Sequence, residues 1–333
     1  MSKARCPLWA MLVAVSVVLS GSSAWAEDSQ AVPAASDSGA LSEVEVTARR
    51  LDAARNGLMP ETGSSLYRLA EEDLRNLPLG ESTPLNEVLL RAPGVVQDSF
   101  GQLHVRGDHA NLQYRINDVV IPESIALFGQ SLSPRFARDI NLLTGALPAQ
   151  YGYRTAGVVD IHTKGSEAPD GGELAVHAGP RGYLEEDGEL SSHAREWSYY
   201  LTAGHLASNL GIENPSPAVA ALHDHTEQWN GFGHVARVLA DGSRISAIAG
   251  VTNDDFQIPN IKGRLPLFVA PGANAPDSAR LDERQHEDNR YAIIAYENAS
   301  DSPTHYQVAL YDRVSNVHYR PDVSGDLAFT GAS

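Results

Sequence analysis

The pattern of apolar and polar positions divides the chain into two parts. Between residues 53 and 165, short alternating and short amphipathic segments are separated by turn residues, which predicts a compact α+β domain. From Gly171 onward the alternating segments are longer, and each has one apolar and one polar face, as residues 197–204 and 245–252 show. A period of two predicts strands. The sequence therefore predicts an α+β domain followed by an antiparallel β structure over residues 171–333.

Short-range signals locate the elements of the first domain. Thr83-Pro84 has the form of an N-cap followed by proline at the first helical position, and it predicts a short helix that stops before Pro93-Gly94. Ser133-Pro134 repeats this start signal. Alternation predicts strands at residues 103–106, 112–117, 119–121, 140–143 and 158–162.

The N-terminus has the pattern of an export signal. Lys3 and Arg5 precede an apolar run over residues 8–19, and small residues ending in Ala-Trp-Ala at 24–26 follow it. The run has about 12 residues, which is too short to cross a bilayer as a helix, and no later apolar run is long enough either. We therefore expect residues 1–26 to be a signal peptide, and we expect any membrane insertion of the mature chain to occur as strands.

Two architectures fit the second part of the chain. Alternating segments of about 10 residues with aromatic side chains near their ends are typical of a transmembrane β-barrel with a polar interior and an apolar exterior. A soluble β-sandwich alternates in the same way. Export without cysteines favours the barrel, and so do the long polar connections at residues 208–228 and 253–289. We therefore expect an incomplete antiparallel transmembrane β-barrel, with the sandwich as the alternative.

Composition narrows the chemistry. The chain has 25 Lys+Arg and 42 Asp+Glu, a net charge of −17, which argues against a nucleic-acid partner because phosphate contacts need a basic surface. Its one cysteine, Cys6, lies in the predicted signal peptide, so the mature chain would have no thiol for a disulfide, a metal or catalysis. No H-E-x-x-H, G-x-S-x-G or P-loop spacing is present. We therefore expect no catalytic residues and no cofactor.

One histidine-rich segment was weighed as a metal site. His223-Asp224-His225 could chelate a metal, but neighbouring side chains of an extended segment point apart. We therefore expect no metal ligands in the chain.

The segment between the signal peptide and the first domain, residues 27–52, is predicted to be a flexible leader because its first part is small, polar and rich in Pro, Gly and Ser. The leader contains one alternating run of strand-forming residues: Glu43, Val44, Glu45, Val46 and Thr47. Such a run could add itself to the sheet edge of another protein, where main-chain hydrogen bonds supply the affinity. An ordinary edge strand explains the same pattern.

Five blocks, in this order, resemble the plug domain of TonB-dependent outer-membrane receptors. They are NEVLLRAPGV at 86–95, LHVRG at 103–107, YRINDV at 114–119, LTGALPAQYG at 143–152 and AGVVDIHTK at 156–164. The resemblance implies a plug at residues 53–165 that fills a barrel of 22 strands, of which residues 171–333 would supply the first. Roughly six to eight candidate strands follow Gly171, so we expect a fragment, a truncated reading frame or a degraded gene product of such a receptor.

The resemblance also implies a location, partners and a function. The protein would lie in the bacterial outer membrane, in contact with its lipid, and would import a scarce small ligand such as an iron chelate, cobalamin or a carbohydrate. Residues 43–47 would be the TonB box, the strand offered to a TonB-type energy transducer of the inner membrane. A surface adhesin or a passive pore would use the same barrel without energised import.

The resemblance assigns structural roles within the plug. Arg106 would reach a carboxylate of the barrel wall, with Gly107 allowing close approach of the backbone, although a solvated strand arginine is the alternative. Turns, close packing and an aromatic anchor are implied for the remaining positions: Pro93, Gly94, Gly145, Tyr151, Gly152 and Gly157. Thr144-Gly145-Ala146 departs from the Arg-Gly-Pro that is frequent in the family, which weakens the expectation of a siderophore as the ligand.

Overall fold

The computed structural model describes residues 58–59, 63–98, 102–109, 111–121, 132–151, 154–165, 168–212, 222–272, 274–298 and 306–329. The predicted signal peptide, the leader with residues 43–47, and Gly152 lie outside the described residues. Within the described ranges, no helix has the length and apolar character needed to cross a membrane.

The described part of residues 58–165, called the plug below, is an α+β domain. Its strands are β1 (Leu58–Met59), β2 (Ser64–Ala70), β3 (Val95–Gln97), β4 (Leu103–Val105), β5 (Asp108–His109), β6 (Leu112–Ile116), β7 (Val119–Ile121), β8 (Ala137–Gly145) and β9 (Gly157–Thr163), and its helices are α1 (Glu71–Arg75) and α2 (Leu85–Leu89). A six-stranded sheet has the order β1-β2-β8-β9-β6-β7, and β3-β4-β5 form a second sheet. All pairs are antiparallel except β6 with β9.

The plug core follows from the predicted alternation. Helix α2 buries Leu85, Val88 and Leu89 on one side, as the spacing of its apolar residues requires. Strands β8 and β9 are covered on both faces, and their side chains are therefore nearly all buried. The predicted helix and the predicted plug strands are present in the structure.

The second predicted helix start is present, but the helix that follows it is very short. Ser133-Pro134 opens a single 3-10 turn at Pro134–Phe136, in which Ser133 Oγ accepts a hydrogen bond from the Arg135 amide. The chain then enters β8 at Ala137, opposite Thr163 of β9. Pairing with β9 supplies the backbone partners that a longer helix would otherwise provide, so the cap signal ends after one turn.

Seven strands follow, called the wall below. They are β10 (Gly171–Ala178), β11 (Leu184–Ala194), β12 (Trp197–Ser208), β13 (Thr226–Val238), β14 (Arg244–Ile258), β15 (Glu283–Glu297) and β16 (Gln307–Arg320), and a short helix, α3 (Val323–Phe329), comes last. Each strand pairs antiparallel with the next in one continuous sheet. This sheet is not divided into two packed layers, so the sandwich alternative is wrong.

The polarity of the wall is the reverse of that in a soluble protein. In β12 the exposed side chains are Trp197, Tyr199 and Leu201, whereas Ser198, Tyr200 and Thr202 on the other face are buried. The polar face packs against the plug, whose apolar core is continuous with Tyr200, Phe232, Ile248 and Ile293 of the wall. Leu174, on the outer face, is 87% exposed. An apolar outer face and a polar inner face are what a transmembrane barrel requires.

The longest connections lie at one end of the wall, although residues 179–183, which join β10 to β11 at that end, are a short connection. Residues 298–306 join β15 to β16 at the other end. At that other end too, β11 and β12 are joined by residues 195–196, and β13 and β14 by residues 239–243. At the first end, residues 209–225 and 259–282 form long connections. The second of these is shorter than the predicted connection at 253–289, because β14 continues to Ile258 and β15 begins at Glu283.

Candidate functional site: the plug–wall interface

A group of buried charged side chains joins the plug to the wall. Two cations of the plug, Arg135 and Lys164, are 2% and 4% exposed. Arg135 lies in the Pro134–Phe136 turn, and Lys164 directly follows β9. Their partners are two carboxylates of the plug and three of the wall. Glu71 of the plug lies 4.0 Å from Lys164 Nζ, and the other six residues together are called the interface cluster: Arg135, Lys164, Glu81, Glu173, Asp187 and Glu189.

Arg135 contacts carboxylates of two wall strands. Its Nη1 donates to Glu173 Oε1 at 3.1 Å and lies 3.8 Å from Glu189 Oε2. Its Nη2 lies 4.0 Å from Asp187 Oδ2 and donates to Ser82 Oγ at 2.9 Å. Ser82 in turn donates to Asp187 Oδ2 at 2.5 Å. The guanidinium therefore connects the plug to β10 and β11 through direct and relayed hydrogen bonds.

Lys164 forms the second half of the cluster. Its Nζ donates to Glu81 Oε2 at 2.7 Å and to Glu189 Oε2 at 3.1 Å. The hydroxyl of Tyr200 lies 2.9 Å from both Glu189 Oε2 and the Arg135 carbonyl oxygen. Glu189 thus accepts from a plug lysine and a wall tyrosine, and it is the carboxylate at which the two halves of the cluster meet.

Burial makes these charges depend on one another. Burial by itself lowers the pKa of Arg135, but the hydrogen bond to Glu173 and the charges of Asp187 and Glu189 raise it above its ordinary value. A buried ion is costly unless it is paired and hydrogen-bonded. The charges of the cluster are paired only while the plug is seated against the wall. A displacement of the plug would therefore leave some of these ions without a partner.

An aromatic contact lies beside the cluster. The ring of Phe136 stacks on Phe232 of the wall, with centroids 4.1 Å apart and planes inclined by 8°. Tyr200 meets Phe232 edge-on at 6.4 Å. All three rings are buried. The Pro134–Phe136 turn therefore contributes both a charged and an apolar contact to the wall.

A cavity of about 430 Å³ lies between plug and wall at the end with the short turns. It is lined on the plug side by Asn117, Asp118 and His162, among others, and on the wall side by residues that include Arg244 and Tyr306. At its edge Thr163 Oγ1 lies 3.0 Å from His234 Nδ1 of the wall. The cavity is open, so it gives solvent access to this side of the plug.

The plug side of the cavity holds a group of interacting titratable residues. His162 Nδ1 lies 2.8 Å from Asp139 Oδ1, and this hydrogen bond is the main reason that the pKa of His162 is raised. Burial opposes ionisation of Asp139, but hydrogen bonds with His162 and Arg138 outweigh it and hold the pKa of that carboxyl well below its usual range. Burial, and after it the charge of Asp118, raise the pKa of Asp160 to about 6.

Among the described residues, Arg106 contacts the plug itself. It has a φ of 53° in the turn between β4 and β5, and its Nη2 lies 3.4 Å from Ser65 Oγ. Its exposed side chain lies beside Gly94 and Gly145 of the plug, and its contact with a carboxylate of the barrel wall stays a prediction. Among the described residues, Arg135 and Lys164 are the plug cations that reach wall carboxylates.

The predicted glycines have three different environments. Gly94 and Gly145 have φ values of 80° and 94°, which disfavour any other residue. Gly107 also has a positive φ, 84°, and a β-carbon there would meet no atom of the described residues within 4 Å. Gly157 has the close approach: a β-carbon would lie 2.9 Å from the Leu143 carbonyl oxygen and 3.1 Å from Leu112 Cδ2.

The two other predicted plug residues that the structure describes have local contacts. Pro93 precedes Gly94 in the turn after α2, where the Gly94 carbonyl accepts a hydrogen bond from the Arg106 amide at 2.7 Å. Tyr151 lies half-buried under the guanidinium of Arg115, whose Cζ is 4.6 Å from the ring centroid. Tyr151 therefore contributes to packing within the plug, whereas Pro93 is an exposed residue of its turn.

Gly157→Ala is expected to destabilise the chain by about 1–3 kcal/mol, because the strand pair β8–β9 cannot separate to admit a methyl group without losing hydrogen bonds. Urea denaturation of the purified chain in detergent would measure the loss. Gly231→Ala is the matched control, since its β-carbon would meet Val251 Cγ1 at an ordinary 3.4 Å. Equal denaturation midpoints for the two variants would contradict the packing role of Gly157.

The histidine-rich segment does not converge on one point. His223 Nδ1 lies 3.1 Å from Asn260 Oδ1, and His225 Nδ1 lies 3.0 Å from Asn209 Oδ1. Asp224 Oδ1 accepts the amides of Gly211 and Ile212. The three side chains therefore serve separate loop contacts, as the extended segment suggested.

Sequence reasoning missed the interface cluster, although signals for it exist. Glu185, Asp187 and Glu189 recur at every second position of β11, which places three carboxylates on one face of a strand. Arg135 stands alone between apolar neighbours in the segment Leu132 to Ala137. The opposite charges of the alternating acids and the isolated base could have suggested that they pair. Their positions along the sequence could not, because they are far apart in the chain.

The comparisons with known proteins give the architecture a precedent. No family model matches the sequence, and no curated protein matches it. Solved structures do match. The siderophore receptor PiuA from Acinetobacter baumannii is 12% identical, with 77% of this chain and 37% of that chain covered and a TM-score of 0.54. The ferric-catecholate import receptor Fiu from E. coli K12 is 13% identical, with 77% of this chain and 39% of that chain covered and a TM-score of 0.56.

A third match is the siderophore receptor PirA from Acinetobacter baumannii, at 16% identity and a TM-score of 0.53, with 76% of this chain and 40% of that chain covered. This chain thus spans about two fifths of the length of the structures it matches. All three matched proteins are named as receptors. The chain has the fold that its motifs predicted, that of a plug domain followed by the first part of the barrel of a TonB-dependent outer-membrane receptor.

Proposed function

We propose that this chain belongs to a receptor that imports a scarce ligand across the bacterial outer membrane, with the plug gating the pore. The reversed polarity of the wall carries the proposal. Its apolar outer face suits lipid, and its polar inner face is filled by a separate α+β domain. A structural protein of the membrane would not need a plug whose seating depends on buried charge pairs.

The lengths of the connections suggest an orientation. Outer-membrane barrels have short turns on the periplasmic side and long loops on the outside. By this rule the turns at residues 195–196 and 239–243 would face the periplasm, and the connections at 209–225 and 259–282 would face outward. The cavity at the short-turn end would then open toward the periplasm, on the side from which an energy transducer would act.

The ligand is proposed from chemistry and precedent. Two of the matched structures are named as siderophore receptors and one as a ferric-catecholate import receptor, so an iron chelate is the first ligand to test. Cobalamin and carbohydrates are the other classes that the family resemblance supports. A deletion strain would be grown on each compound as the sole source of the nutrient that it carries, and compared with the same strain complemented with the gene that carries this chain. Growth that depends on the gene would identify the class of ligand.

Energy coupling is proposed to use residues 43–47. Val46→Pro removes a backbone N–H from the alternating run and is expected to lower uptake at least about tenfold, because strand addition depends on main-chain hydrogen bonds. Radiolabelled-ligand uptake in cells with equal receptor levels would measure the effect. Val46→Ile, which keeps the N–H and the strand preference, is the matched control and should leave uptake unchanged.

The same experiment separates the alternatives. Unchanged uptake in the Val46→Pro strain would mean a passive pore, and no uptake in any strain together with surface binding would mean an adhesin. Recovery of the protein in the periplasmic fraction instead of the outer-membrane fraction would contradict both the location and the transport function.

A further inference from the structure

We propose that Asp118, Asp160 and His162, on the plug side of the cavity, form a binding site for a divalent transition-metal cation of the Zn²⁺ class. One ligand atom from each residue lies within 4.8 Å of the others. His162 Nε2 and Asp160 Oδ2 are 3.7 Å apart. Zinc ligands at about 2.0–2.1 Å in tetrahedral geometry are about 3.4 Å from one another, so the three groups need only small movements to share an ion.

The histidine is already oriented as a metal ligand. Its Nδ1 is hydrogen-bonded to Asp139 Oδ1 at 2.8 Å, and Asp139 is held in turn by Arg138 Nε at 2.9 Å and by Asn141 Nδ2 at 2.7 Å. This bond leaves Nε2 facing Asp160. A carboxylate on the far nitrogen of a ligand histidine is the usual second support of a zinc site, because it fixes both the tautomer and the ring.

One oxygen of a buried carboxylate in the group lacks a partner among the described residues. Asp160 is 5% exposed, and its Oδ1 has no hydrogen-bond donor among the described residues. The arginines nearby have other contacts: Arg115 donates to Gln113 and to the Asp118 carbonyl, and Arg138 donates to Asp139. The two adjacent carboxylates repel each other, and one of them is buried with an oxygen that lacks a donor. A bound cation would offset both costs.

The third ligand is held in position by the backbone. Asn117 and Asp118, with φ values of 48° and 65°, form the tight turn between β6 and β7. The Asn117 amide donates to the Ile161 carbonyl at 3.0 Å, and its side chain exchanges hydrogen bonds with Thr163 at 2.9 and 3.0 Å. The turn is thus fixed beside His162 before any ion binds, and the exposed Asp118 lines the open cavity, which supplies an entry path.

Ligand chemistry determines the class of cation. Imidazole nitrogen together with carboxylate oxygen suits Zn²⁺ and its transition-metal neighbours, whereas Ca²⁺ and Mg²⁺ prefer oxygen alone. Three protein ligands leave one position for water, as in an accessible site. This inference does not depend on the transport function, since it concerns binding to the plug by itself.

The test is a Zn²⁺ titration of the chelator-treated chain in detergent, with a competing fluorescent indicator, on the wild type and three variants. Asp118→Asn removes one charge and keeps a residue that tolerates the left-handed backbone. His162→Ala removes the imidazole. His193→Ala is the matched control, because His193 Nδ1 pairs with Asp170 at 2.7 Å and that pair belongs to no three-ligand group among the described residues.

We expect one Zn²⁺ per chain, affinity lowered at least about tenfold in Asp118→Asn and His162→Ala, and no change in His193→Ala. Zn²⁺ should also raise the thermal midpoint of the wild type but not that of Asp118→Asn, a readout that remains informative if His162→Ala does not fold. No binding by the wild type, or binding that survives Asp118→Asn, overturns the site. Equal displacement of Zn²⁺ by Ca²⁺ overturns the assigned class of cation.

Discussion

Arg135→Met is expected to destabilise the seating of the plug in the wall by about 3–5 kcal/mol, because removing one partner of a buried ion group leaves the others uncompensated. Arg135 is 2% exposed and is the cation nearest to Glu173 and Asp187 of the wall. Methionine keeps most of the volume of the side chain, so the loss would report charge pairing and not a cavity. Lys164 cannot substitute, since its Nζ is engaged by Glu81 and Glu189.

Two measurements check this prediction. Urea denaturation in detergent gives the loss of stability, and hydrogen–deuterium exchange of plug peptides shows whether the plug loosens before the wall. Arg68→Met is the matched control: Arg68 is also a plug arginine with a carboxylate partner, Asp139 at 3.7 Å, but its side chain is 61% exposed. Its loss should cost less than about 1 kcal/mol. Equal effects in the two variants would mean that the interface cluster does not hold the plug.

Phe136→Ala is expected to cost about 3–5 kcal/mol, comparable to the loss of Arg135 but through a different mechanism. Phe136 is 1% exposed and stacks on Phe232 at 4.1 Å, so truncation would open a cavity between plug and wall. The stacking itself contributes about 0.5–1.5 kcal/mol beyond the buried area. The same urea denaturation would measure the total.

The control for Phe136 keeps the volume and removes the ring. Phe136→Leu should cost about 1–2 kcal/mol, since most of the contact surface remains. A double-mutant cycle with Phe232→Ala would then isolate the contact, because two residues that touch lose less together than the sum of their separate losses. Strict additivity would show that the two rings do not stabilise each other, and it would contradict the proposed apolar contact.

Arg135 and Phe136 lie in the same turn and hold the plug to the wall through two different interactions. The Pro134–Phe136 turn presents a charge and a ring to the wall from adjacent residues. If the plug must move for a ligand to pass, the movement would separate the charge pairs of the interface cluster. It would also break the contact between Phe136 and Phe232, which adds to the energy needed to displace the plug. A receptor in which Arg135→Met allows ligand leakage without energy input would be consistent with the proposed gating.

The sequence alone determined the elements and the order of the domains. Strands β4, β6, β7, β9, β12, β14 and β16 follow from alternation with a period of two, which is a local property of the chain. The division of the wall into an apolar and a polar face was also predictable, because the same alternation places apolar residues on one face and polar residues on the other. Positive φ at Gly94 and Gly145 follows from local turn geometry.

Only the tertiary structure decided which residues meet. Arg135 and Lys164 reach carboxylates of the wall although no motif singled them out, because contacts between residues distant along the chain depend on how the plug packs against the wall. Asp118 is separated from Asp160 and His162 along the chain, and the parallel pairing of β6 with β9 brings them together. The local alternation of residues determines which side chains lie on each face of a strand. Strand pairing and the packing of the plug against the wall determine which residues those side chains contact.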